Sequence, residues 1–152
     1  MNQKSERIMK VFVYPPNSLI LADLVERFGH EPLVIMTEVG ERVTNPDIDS
    51  PPLNITENDL KMGLRYVAIE APSGIRGRMG LIGPLIDQSQ AAIIIENADL
   101  NFGCLGCARA ANYIKYLVKK KDIPILTIQY PTDEASAKIM VKQIKDFLQN
   151  LS

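Results

Sequence analysis

Residues Ala91-Ala92-Ile93-Ile94-Ile95 form an unbroken apolar run that ends at Glu96. A strand with one face in water alternates apolar and polar side chains, so a run without alternation has both faces buried. In a chain of this size that means a parallel sheet covered by helices on its two sides. Lys10-Val11-Phe12-Val13-Tyr14, stopped by Pro15-Pro16, also reads as a buried strand, and Pro32 to Met36 and Pro124 to Tyr130 read as two more strands. Leu64-Arg65-Tyr66-Val67-Ala68-Ile69-Glu70 completes a set of five expected strands.

Helical periods fall between these runs. Leu21, Leu24, Val25 and Phe28 recur on one face after a cap at Asn17 or Ser18, and Gly29 is placed to end that helix. Gly80 to Gln90 reads as a short helix with Pro84 near its start, and Ala108 to Lys121 as a longer one. A final helix capped by Thr132 carries Met140, Val141, Ile144, Phe147 and Leu148. Residues 37–63 interrupt the rhythm with turn chemistry around Pro46 and Pro51-Pro52, leaving an insertion with one short helix from Glu57 to Met62 capped by Thr56. The order predicts an α/β chain: a single doubly wound parallel sheet of about five strands, Rossmann- or flavodoxin-like, with strand order 2-1-3-4-5 in one domain over residues 1–152.

Seventeen basic residues against eighteen acidic ones give a formal net charge of −1. Without an overall positive field the chain is not expected to bind nucleic acid or an anionic membrane surface. Met1 to Lys10 lacks the apolar region of a signal peptide, and no run approaches the roughly 18 apolar residues of a membrane span, so the expected location is cytoplasmic.

Ligands of doubly wound sheets bind beyond the carboxyl ends of the strands, where strand order reverses. That rule selects the loops at 14–18, 71–79, 97–107 and 130–132. Two carry chemistry. Cys104-Leu105-Gly106-Cys107 precedes a helix, whose N-terminal N–H groups and dipole lower thiol pKa values, so Cys104 and Cys107 are candidates for disulfide exchange or soft-metal ligation. A closed metal site needs about four ligands, and a metal held here would need some of them from a partner. In the second loop, Ser73, Gly74 and Gly77 allow close backbone approach while Arg76 and Arg78 offer forked donors; with Asn17 and Ser18 they form a candidate site for a phosphorylated or carboxylated small molecule. The segment is neither a Walker A loop nor a Gly-x-Gly-x-x-Gly fingerprint, so no cofactor is specified. Glu70 and Glu96 stand at expected strand ends as solvated carboxylates or an acid and base. His30 closes the first helix at the opposite edge and receives no role.

Three segments, Tyr14 to Leu24, Pro72 to Arg78 and Gly103 to Arg109, resemble methanogenesis marker protein 5, a family of methanogenic archaea. The resemblance implies an archaeal accessory protein of methanogenesis, linked to maturation or activation of methyl-coenzyme M reductase or its cofactor. It supplies no reaction and no catalytic residue. The residues themselves leave three readings open: a thiol or metal site at Cys104 and Cys107, a binding module for an anionic cofactor, and a non-catalytic subunit that docks on protein partners or a second copy of itself.

Overall fold

A computed structural model describes residues 7–45, 55–97 and 105–151. Among these residues the sheet has four parallel strands, β1 (Lys10–Tyr14), β2 (Glu31–Leu33), β3 (Ala91–Glu96) and β4 (Ile125–Gln129), in the order β2-β1-β3-β4. Phe12 pairs with Leu33 on one side and with Ala92 on the other, and Ile93 pairs with Leu126. Among the described residues six helices accompany them: α1 (Leu19–Arg27), α2 (Ile35–Val43), α3 (Glu57–Gly63), α4 (Ser73–Gln88), α5 (Leu105–Lys119) and α6 (Glu134–Asn150).

Alternation along the strands divides the core in two. Val11, Val13, Ile93 and Ile95 pack with Leu21 and Val25 of α1 and Ile144 and Leu148 of α6. Phe12, Tyr14, Ala92 and Ile94 pack with Met79, Ile82 and Ile86 of α4 and Ala111, Ile114 and Val118 of α5. Each large apolar side chain so buried contributes about 1.5–3 kcal/mol, and side chains pointing to both faces of β1 and β3 are buried. That is why these two strands carry the continuous apolar runs.

The helix starts follow local chemistry. Ser18 Oγ accepts from Leu21 N–H at 3.3 Å, and Gly29 ends the segment after α1 with φ +81°, a conformation other residues adopt only with strain. Thr56 and Asp59 form a reciprocal capping box on α3, as expected for a helix capped at Thr56. The last helix is capped by Asp133 rather than Thr132, in a second capping box with Ser136.

The expected third strand is absent. Residues 64–70 instead form turns that extend α3: Tyr66 and Val67 N–H groups both donate to Gly63 C=O, and Ile69 is 68% exposed. The place beside β1 that the expected order gives this segment is taken by β3. The expected second strand ends at Leu33, where Ile35 N–H donates to Pro16 C=O and begins α2, so much of the expected irregular insertion is helical. Its turn residues 46–54 lie outside the described residues.

The glycine-rich segment also departs from expectation. Residues 73–79 are the first two turns of α4, with Pro84 well inside the helix. The glycines of α4 from Gly77 onward, with Gly63 of α3, serve helix packing. A Cβ on Gly63 would stand 1.9 Å from Arg76 O, one on Gly80 2.0 Å from Asp59 O, and those on Gly77 and Gly83 would strike Ile55 and Tyr66. Spacing by three keeps Gly77, Gly80 and Gly83 near one side of α4, where α3 and its following turns approach closely. An Arg42 guanidinium from α2 then pairs with Asp59 and Glu38, tying α2 to the same assembly.

Candidate functional site

Strand order reverses between β1 and β3, and the space beyond their carboxyl ends is where the fold rule directs attention. A cavity of about 140 Å³ opens there. Tyr14 and Asn17 line it from the end of β1, Met36 from the start of α2, Arg78 and Ile82 from α4, and Ala111 from α5. Its walls are mainly apolar. Arg78 is half-buried, and no carboxylate among the described residues pairs with it.

The helix separates the two arginines that a loop would have kept together. Positions two apart on an α-helix point about 200° away from each other. Arg76 therefore leaves the cleft and donates from Nη1 to Ile69 C=O at 2.8 Å. Gly77 is buried against Ile55, while Ser73 and Gly74 are exposed in the first turn of α4. Asn17 lies at the cleft mouth, and Ser18 spends its hydroxyl on the α1 cap. Of the expected anion ligands, Asn17 and Arg78 line this cavity, and Arg76 lies outside its lining because the segment is helical.

Cys104 lies outside the described residues. Cys107 falls in the first turn of α5, one turn before Ala110 and Ala111 of the cavity wall. Among the described residues no group of three or more His, Cys, Asp or Glu is placed to hold a metal.

Glu70 is exposed in a turn and not at a strand end. Glu96, by contrast, terminates β3 and accepts from Lys115 at 3.2 Å and Lys119 at 3.1 Å. Burial pushes its carboxyl up, but the hydrogen bonds from Lys119 and Lys115 outweigh that and hold it below the usual carboxylate value. Lys115 is 6% exposed, and its ammonium also stands 5.1 Å from the centre of the Tyr14 ring. Sequence reasoning missed this lysine; the signal was a cation on the apolar face of α5 that carries Ala111, Ile114 and Val118. His30 is structural, with Met9 N–H donating to Nδ1 at 3.2 Å and Nε2 bonded to Leu148 C=O at 2.9 Å.

A family model described as "Uncharacterized protein conserved in archaea (DUF2112)" matches residues 9–151. The chain belongs to this family. A relative in Methanocaldococcus jannaschii, bearing the name "Uncharacterized protein MJ0404", is 57% identical over 142 residues, which cover 93% of this chain and 95% of the relative. No solved structure matches. Among the described residues no helix is long and apolar enough to cross a membrane.

Proposed function

We propose that this member of the DUF2112 family is an accessory protein of methane-forming archaea that binds a small anionic ligand in the cleft at the ends of β1 and β3. One observation carries the binding part: Arg78, half-buried among apolar walls at the strand-order reversal, pairs with no carboxylate among the described residues. A guanidinium there is less well solvated than on an open surface and gains most from a planar carboxylate, phosphate or sulfonate partner. The link to methanogenesis, including assistance to methyl-coenzyme M reductase or its cofactor, rests on the resemblance to methanogenesis marker protein 5; the relative adds only that the family occurs in Methanocaldococcus jannaschii.

Calorimetry with inorganic phosphate, AMP and 2-mercaptoethanesulfonate tests the cleft. At least one of them binds, Arg78→Ala weakens it by about tenfold or more, and Arg76→Ala leaves it within about twofold because that side chain serves Ile69 C=O. Equal affinity in wild type and Arg78→Ala would remove the cleft from consideration.

A second reading is favoured by the position of Cys107 in the first turn of the helix that walls the cleft. Here Cys104 and Cys107 perform thiol redox chemistry, or hold a metal whose remaining ligands come from a partner protein. Anaerobic pull-down followed by metal analysis and thiol titration addresses it. Ordinary thiol reactivity with no metal, alone or with a captured partner, would end this reading.

A further inference from the structure

The cleft is not the whole of the space between α4 and α5. A second cavity, of about 340 Å³, is lined by Ile75 and Met79 of α4, by Arg109, Ala110 and Tyr113 of α5, and by Val67 and Pro72 from the segment between α3 and α4. Ala110 lines both cavities. On α4 the first cavity takes Arg78 and Ile82 where the second takes Ile75 and Met79; on α5 it takes Ala111 and Ile114 where the second takes Arg109 and Tyr113. These pairs are displaced by one or a few positions in the same sense on both helices, which run side by side on one face of the sheet. The cavities thus adjoin at Ala110, the second lying about one turn nearer the start of α4 and about 100° around α5 from the first.

The charge pattern repeats at the far end. Arg109 is exposed, and no carboxylate among the described residues pairs with it. Ile75, Met79, Ala110 and Tyr113 bring mainly apolar surface to the space beside it. A lone phosphate would satisfy Arg78 and leave this larger apolar space without an occupant.

We infer that the two cavities form one binding site for an elongated organic anion, with an acidic group on Arg78, an apolar body along α4 and α5, and a second acidic group on Arg109. The inference rests on the anion reading of the cleft and deepens it by naming the ligand class. Both guanidiniums offer the forked geometry that a carboxylate, phosphate or sulfonate matches. Each methylene buried between them tightens binding by about fourfold, so length as well as charge selects the ligand.

The test is calorimetry of the full chain with unbranched diacids from succinate to dodecanedioate, each beside the monoacid of equal length. Affinity for the diacids passes through a maximum, where the diacid binds about tenfold or more tightly than its monoacid. Arg109→Gln, a change on an exposed position, abolishes that advantage, whereas Arg78→Ala weakens both series. Diacids that never outdo monoacids, or an advantage that survives Arg109→Gln, would overturn the two-ended site. If monoacids still bind through Arg78 in that case, the cleft reading stands and only its extension fails. If neither series binds, both fail.

Discussion

The same strands present two different faces to their helices. Against α1 and α6, Val11, Val13, Ile93, Leu21, Val25, Ile144 and Leu148 are all at most 1% exposed, and the buried His30 ring joins the segment before β1 to the end of α6. Against α4 and α5 the sheet side is just as apolar, yet toward the strand ends the helices leave two cavities and bring arginines to them. The sheet does not cause the difference, since its residues alternate evenly. The helices do. α1 and α6 cover the sheet with branched side chains, while α4 spends one side on glycines for α3 and another on Arg78. One face supplies stability and the other supplies room.

The contrast can be broken most severely on the closed face. Ile144→Ala removes a fully buried side chain where neighbours cannot collapse, and a loss of about 2–5 kcal/mol is expected in urea unfolding. The α3–α4 contact should fail in the opposite sense, by gaining volume. Gly80→Ala places a methyl 2.0 Å from the Asp59 backbone carbonyl, and the helices must part at a cost of about 3 kcal/mol in the same assay. Were Gly80→Ala neutral, the close approach of α3 would have no energetic meaning.

A smaller effect is expected at the clasp between α2 and α3. Burial pushes the Asp59 carboxyl up, but hydrogen bonds from Arg42 and Thr56 outweigh it and hold the carboxyl below its ordinary value. A depressed folded-state pKa gives stability that is present above the unfolded value of about 4 and is lost as pH falls through the folded one. Arg42→Met should therefore cost about 1–3 kcal/mol at neutral pH, and thermal melts below pH 4 should approach those of wild type. A gap between the two proteins that did not narrow in acid would show that Arg42 acts through packing alone. Lys138→Ala, which breaks the exposed Glu134–Lys138 pair on the outer side of α6, should change stability by less than about 0.5 kcal/mol.

Much of this architecture was readable residue by residue. Ser18, Gly29 and Thr56 announce their helix boundaries because each satisfies a backbone need that is local to its own turn. The apolar run at 91–95 announces a strand buried on both faces for the same kind of reason. Leu64 to Glu70 misled because its composition is compatible with a strand, while the place beside β1 goes to β3 and its own backbone turns back onto Gly63 at the end of α3. Glycines at every third position fit a phosphate loop as well as they fit a helix that another helix approaches. Deciding between them requires α3, whose backbone fills the space a Cβ would need. In the candidate site, Arg78 was legible as a residue but not as separate from Arg76, because the separation is created by helical rotation. Lys115 escaped notice since its partner Glu96 lies 19 positions away in sequence.

The central placement of β1 has a consequence for how the chain comes together over time. Its pairing with β2 can form early, but the Lys10 backbone meets Gln90 across eighty positions, and Val11 must wait for Ala91. Contacts this distant are closed late and at a larger entropic cost than local ones. On the ribosome, an emerging chain that ends after α3 therefore carries an apolar strand with one edge open to any other strand nearby. The arrival of β3 both seals that edge of β1 and creates the strand-order reversal, so the edge is covered and the cleft takes shape in the same step.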